Sequence, residues 1–364
     1  MAETNGTRGV LPAHEIERLL AGGRIRTETP PAPDQVQPAS LDLRLGRVAY
    51  RIRASFLPGP RRSVAERLEA LKLHEIDLTG GAVLETGCVY LVPLLESLAL
   101  PDEIAADANP KSSTGRLDVF TRVIADRSRA FDSVEQGYVG PLYLEISPRT
   151  FPVLVRTGSR LSQLRFRRGR ATLSDEETLE LHEREDLVAG RAPDIAGGIA
   201  VSVDLTGEQG VVGYRAKRHT GVVDVDRRDG YEVGEFWERL ETASGTLILD
   251  PNEFYILASK EAVHVPPAYA AEMVPFDPLV GEFRVHYAGF FDPGFGHAAA
   301  GGHGSRAVLE VRSREVPFIL EDGQTVGRLV YERLTERPET LYGTDIGSHY
   351  QAQGLKLSKH FRAT

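Results

Sequence analysis

Two short stretches concentrate the side chains able to do chemistry. Pro110-Lys111-Ser112-Ser113-Thr114-Gly115-Arg116 puts two adjacent serines, a threonine, a glycine and two cations into one turn. That composition suits phosphate oxygens, which backbone N–H groups, hydroxyls and a forked guanidinium can hold together. Further on, Leu142-Tyr143-Leu144-Glu145-Ile146 sets a carboxylate inside an apolar, aromatic run that reads as a strand. Burial of a carboxyl group moves its protonation toward the range of general acid–base work. The plain alternatives are a solvated basic loop and an edge-strand glutamate.

The elements that must position these residues are mostly strands. With 36 Gly and 22 Pro among 364 residues and Val-rich alternating runs, the chain reads as mainly β with many turns. Its length favours two domains over one core. A hydrophobic share of 41% with 26% charged residues is ordinary for a globular protein. The net charge of −9 argues against a general nucleic-acid or anionic-membrane binder, so a polyanionic ligand needs a local cationic site. Cys88 is the single cysteine, which excludes an intrachain disulfide and a thiolate-rich zinc site. No apolar run reaches the length of a membrane-spanning helix, and Met1 to Gly9 is polar, so a cytoplasmic location is expected.

Read in order, Pro12 to Leu20 is a short amphipathic helix stopped by Gly22-Gly23, and Ser40 to Gly46 alternates like a half-buried strand. Ser63 caps a second helix running to Leu73. Short strands are expected at Val83-Leu84, Val89–Val92, Ser97–Leu100, Val119–Ala125, Leu142–Ile146, Phe151–Val155 and Leu161–Phe166. The charged stretch that follows, with Ser174 and Glu177 spaced as a capping box, reads as a solvated connector.

The second half then repeats the first. Pro101 and Pro266 stand 165 residues apart, and Pro110/Pro275, Glu145/Glu310, Gly158/Gly323 and Phe166/Tyr331 keep that offset. Ser40-Leu41-Asp42-Leu43 returns as Ser202-Val203-Asp204-Leu205, and Phe131-Asp132 as Phe291-Asp292 at an offset of 160. The second copy regains the missing residues in its Gly/Ala/His loop, Gly296 to Ser305. Shared spacing of this extent indicates a tandem duplication, with an N-terminal domain 1–170, a connector 171–193 and a second domain 194–364. Only the first copy carries the phosphate-suited turn, because the second has Phe276-Asp277-Pro278-Leu279-Val280-Gly281 there. The segment 342–364, rich in Gly, Tyr, His and Gln, reads as a closing tail.

In these residues the chain resembles the dCTP deaminase branch of the dUTPase-like superfamily. Ser40 to Gly46 is similar to the family's (V/L)D(V/L)RLG strand, Lys111 to Arg116 to its (R/K)SSxxR turn, and Leu144-Glu145 to its catalytic strand. Gly158-Ser159-Arg160-Leu161-Ser162-Gln163-Leu164 resembles GxxIxQL, and Ser348 to Gly354 resembles the closing (K)YxxQ segment. The resemblance implies two tandem distorted β-barrel or jelly-roll (β-clip) domains, assembled as a homotrimer with interfacial active sites. It implies hydrolysis of dCTP, carried with Mg²⁺ on its triphosphate, to dUTP and ammonia. Glu145, Ser112 and Arg116 would be catalytic, while Lys111, Ser113, Asp132, Gln163, Tyr342, His349 and Gln353 would bind substrate. Asp132 sits where the family has Asp before Pro-Gly, although Ser133-Val134 follows it here. If each copy packs only with its own kind, the number of chains is a multiple of three, and three are expected.

Zinc deaminases use an H-x-E with P-C-x-x-C signature. One cysteine cannot supply that, so a positioned carboxylate must do the work and no zinc is expected. The competing readings are dUTP diphosphatase, alone or with deaminase activity, and a non-catalytic nucleotide-binding regulator.

Overall fold

The runs of alternating and branched apolar residues form strands throughout the computed structural model, which describes residues 7–189, 193–207, 210–275, 283–286, 289–313, 315–343 and 354–362. The chain is mainly β and forms two units. The first comprises Met1–Ala171 together with Gly221–Arg228 and Leu334–Glu336. The second comprises Thr172–Thr220, Asp229–Arg333 and Arg337–Thr364.

Two six-stranded sheets make up most of the first unit. One runs Ser133–Val134, Ile104–Pro110, Arg160–Arg168, Ser40–Arg44 and Val36–Gln37, with Gly9–Val10 added on Arg160–Arg168. The other runs Val119–Ala125, Val139–Pro148, Val89–Ala99, Val48–Ile52 and Lys72–Asp77, with Ile25–Thr27 added on Val89–Ala99. A small third sheet joins Ala82–Leu84, Val153–Val155 and Val223–Asp224, the last pair parallel. Side chains such as Leu41, Leu43, Leu91, Val119, Leu144, Ile146, Leu164 and Phe166 on these strands are buried.

Three helices sit where their caps predict. Ala13–Ala21 follows Pro12 and ends at Gly22. Val64–Leu71 and Asp175–Glu185 each begin with a full capping box, Ser63 with Glu66 and Ser174 with Glu177. The expected strands Val89–Val92 and Ser97–Leu100 are one continuous strand, Val89–Ala99, despite Pro93 and Glu96. The carbonyl of Pro93 accepts from the N–H of Gly46 at 2.8 Å, and a Cβ on Gly46 would lie 2.5 Å from that oxygen. Glu96 is fully buried because the N–H of Arg44 (2.8 Å), its Nε (2.7 Å) and Gln35 Nε2 (2.8 Å) all donate to its carboxylate.

The second unit repeats this plan in strand register. Glu145 faces Leu91, and Glu310 faces Ile256, so both pairs keep the offset of 165. Val153 opposite Leu84 likewise returns as Phe318 opposite Leu249. Even single hydrogen bonds recur: Glu85 N–H donates to Tyr90 Oη (3.0 Å) and Asp250 N–H to Tyr255 Oη (2.8 Å).

Two local matches expected from sequence shift in the structure. Leu164 pairs with Leu41 and Leu329 with Ile199, which aligns Leu43 with Val201 and Arg44 with Ser202. Buried Glu261 accepts from Ser202 N–H (2.7 Å) and Oγ (2.6 Å), as Glu96 does from Arg44. The likeness of Ser40–Leu43 to Ser202–Leu205 is therefore four residues out of register. Similarly, Leu100 N–H donates to Tyr138 O and Val265 N–H to Phe295 O. That aligns Asp292-Pro293-Gly294-Phe295 with Glu135-Gln136-Gly137-Tyr138, not with Asp132 onward, and both glycines have positive φ. The extra residues of the second copy do fall at Gly296–Gly304, around the short 3-10 turn Ala298–Ala300.

The stretch read as a solvated connector belongs to the second core. Leu173, Leu181, Leu187 and Val188 are buried there among Ile199, Val201, Leu257 and Leu309. Polar flanking charges had masked those widely spaced apolar positions.

Candidate active site

Glu145 lies mid-strand in Val139–Pro148, with Leu91 on one side and Arg122 directly opposite on the other. Its side chain is buried to 1% exposure. The carboxylate is not isolated within its apolar strand, because Arg122 donates to Oε1 from both Nε (3.0 Å) and Nη2 (2.6 Å). Oε2 is buried and has no hydrogen-bond partner among the described residues. The Arg122 guanidinium lies 3.6 Å from the centre of the Phe131 ring and 4.8 Å from that of Phe120, and Nη2 also donates to Ser55 Oγ at 2.6 Å.

Asp132 sits beside this pair. It holds a left-handed φ of 58°, donates its N–H to Val123 O (2.9 Å) and accepts on Oδ1 from Val123 N–H (2.7 Å). Removal of the carboxyl from water pushes its pKa up to about 7; the Glu145 and Asp107 charges add to this, while the Val123 N–H and Arg122 oppose it.

The cationic turn is a single helical turn, Ser112–Gly115, begun by Lys111 and followed at once by Arg116. Ser113, Thr114 and Arg116 are buried. Lys111 is tethered: its N–H donates to Leu161 O (3.0 Å), and its ammonium pairs with buried Asp42. Arg160 approaches the other Asp42 oxygen at 3.4 Å and Asp34 at 2.8 Å. The Arg160 hydrogen bond holds the Asp34 carboxyl below its ordinary range. Gln163 faces both Asn109 and Asp42 across the strands and accepts on Oε1 from Ser40 Oγ at 3.2 Å. Thus Lys111, Asp42, Arg160 and Gln163 gather around the turn, and Glu145, Arg122 and Asp132 around the strand Val139–Pro148.

Tyr342 belongs to the second unit, where its N–H donates to Pro293 O (2.8 Å) and its ring packs 5.8 Å from that of Phe295. His349 and Gln353 lie outside the described residues. Arg122 and Asp42 escaped the sequence reading. Only strand register places Arg122 opposite Glu145, and residue spacing alone does not provide register. The turn following Phe131 is also corrected: the position of an Asp-Pro-Gly is held by Glu135-Gln136-Gly137, and Asp132 precedes it.

A buried carboxylate beside a guanidinium and a hydroxyl-rich cationic turn are the two chemistry-bearing clusters of the first unit. Comparison with known proteins identifies the class. Residues 7–170 match the 2'-deoxycytidine 5'-triphosphate deaminase (DCD) N-terminal domain, and residues 174–361 match the DCD C-terminal domain. The crystal structure of 2'-deoxycytidine 5'-triphosphate deaminase from Agrobacterium tumefaciens is 64% identical, with a TM-score of 0.89 over 94% of this chain and 100% of that one. A dCTP deaminase, dUMP-forming, from Kocuria rhizophila is 35% identical over 42% of this chain and 76% of its own. A dCTP deaminase from Shewanella amazonensis is 32% identical over 42% of this chain and 80% of its own. The chain belongs to the dCTP deaminase family, and it is a dCTP deaminase enzyme. Among the described residues, no helix is long and apolar enough to cross a membrane.

Proposed function

We propose that the enzyme hydrolyses dCTP to dUTP and ammonia with Glu145 as general base and without zinc. The observation that carries this reading is the split character of the Glu145 carboxylate, with Oε1 fixed by Arg122 and Oε2 buried and unpartnered. A water bound at Oε2 would give its oxygen to C4 of cytosine as Oε2 takes a proton and passes it to N3. The hydroxyl proton of the resulting adduct then travels to the amino nitrogen, the C4–N4 bond breaks, ammonia leaves and a C4 carbonyl remains. Water supplies both protons and the oxygen, so no further reactant is needed. Ser112, Ser113, Arg116 and Lys111 bind the triphosphate, with its Mg²⁺, and support the reacting end. Gln163 and Asp132 take part in binding the substrate, with Tyr342, His349 and Gln353 as further binding residues. Three chains form the working assembly.

Release of dUMP is the second reading, because relatives from Kocuria rhizophila and Beutenbergia cavernae are dUMP-forming at 35% and 30% identity. Incubation with dCTP and Mg²⁺, following ammonia, dUTP, dUMP and pyrophosphate, separates the two. Ammonia and dUTP in equal amounts support the first; dUMP with pyrophosphate establishes the second. Glu145→Gln is expected to lose ammonia release by at least about a hundredfold, the lower range for a general base. A near-wild-type rate in that variant would remove Glu145 from the mechanism.

A further inference from the structure

We infer that Arg122 is a positioning residue for deamination, one that fixes the Glu145 carboxylate so that a single oxygen faces the reaction. The inference rests on Glu145 being the base. Both Arg122 donors converge on Oε1, at 3.0 and 2.6 Å, and neither reaches Oε2. Such a one-sided fork differs from the bidentate pairing in which each carboxylate oxygen takes one N–H. It leaves Oε2 as the oxygen able to exchange a proton, without competition from a donor.

The guanidinium is itself immobilised. Phe131 covers it at 3.6 Å, Phe120 lies at 4.8 Å, and Ser55 Oγ accepts a further N–H at 2.6 Å. Arg122 also keeps 24% of its side chain exposed while Glu145 is sealed to 1%, so the cation reaches in from the rim of a buried carboxylate. A planar, always-charged guanidinium stacked on a ring suits this task; an ammonium would offer neither the stacking nor the two-donor fork. The second unit has His286 at the register position opposite Glu310, so the arginine accompanies the copy that carries the phosphate-suited turn.

Displacing a catalytic group by about 1 Å costs on the order of a hundredfold in rate. Arg122→Lys and Arg122→Ala are therefore expected to lower kcat for dCTP by roughly tenfold and a hundredfold respectively, with KM changed less than about threefold. Guanidinium ion added to Arg122→Ala is expected to restore part of kcat, and Phe131→Leu to lose a few-fold. A structural role alone predicts no rescue.

A rise in KM with unchanged kcat would assign Arg122 to substrate binding and overturn the inference, as would full activity in Arg122→Ala. If Glu145→Gln were active, the base assignment itself would fail, whatever Arg122 variants did. Inactive Glu145→Gln beside unimpaired Arg122→Ala would sink the positioning role alone. Circular dichroism of each variant distinguishes misfolding, and the conservative Arg122→Lys keeps the test open if Arg122→Ala unfolds.

Discussion

Asp132, beside the Glu145–Arg122 pair, makes the stability of the fold depend on pH. Asp132 has a folded pKa of about 7, well above the ordinary carboxyl value, because its carboxyl is withdrawn from water. The unfolded chain releases this proton near pH 4 and the folded chain near 7. Between those values the native state binds more protons, so stability attributable to this group falls as pH rises and stays low above 7. Asp132→Asn keeps an oxygen for the Val123 N–H without the charge. Its Tm is expected to exceed the wild-type Tm at pH 8 and to converge on it near pH 4, as scanning calorimetry would report. An unchanged difference across that range would contradict a proton-binding Asp132. The residues of the site were unevenly legible. Glu145 and the Lys111–Arg116 turn stand out by composition, since charge in an apolar strand and clustered hydroxyls are local signals. Arg122 looks like any solvated strand cation until the register opposite Glu145 is known.

At the scale of elements, the strand Val89–Ala99 shows why local reading fails in the middle of a sheet. Pro93 and Glu96 signal a break, yet Pro93 contributes its carbonyl to Gly46, and Glu96 gains three donors from Arg44 and Gln35. Partners distant in sequence satisfy what local propensity forbids. Helices were more legible because their caps are written within four residues: Ser63 with Glu66, and Ser174 with Glu177. The repeat was legible through its constant offset, while short word matches such as Ser202–Leu205 misled by four residues. Breaking a buried ion pair costs about 3–5 kcal/mol when one partner remains. Glu96→Ala is expected to lose stability on that scale, measured by urea unfolding, because Arg44 stays buried beside it. A loss under about 1 kcal/mol would mean that water replaces the carboxylate there.

For the whole molecule, the threefold assembly proposed above gives a sedimentation mass of three 39.9 kDa chains. A monomeric or dimeric mass in active enzyme would exclude it. The shared spacing of the two halves was legible in the sequence, and the first unit reaches beyond the expected boundary at residue 170. The first unit takes in Gly221–Arg228, where Arg156 pairs with Asp224 at 2.7 Å and Ser159 Oγ donates to Asp226 at 2.6 Å. It also takes in Leu334–Glu336, where Leu334 bridges Val10, Thr335 Oγ1 donates to Glu15 at 2.8 Å, and Glu336 pairs with His14 at 2.9 Å. No run of the chain ending near residue 171 contains those partners. A ribosome adds on the order of ten residues per second, so the nascent first unit waits for roughly a quarter of a minute between emergence of residue 171 and arrival of Glu336. During that interval Glu15 and Arg156 lack their later partners, and the first unit closes only after residues 221–228 and 334–336 have been made.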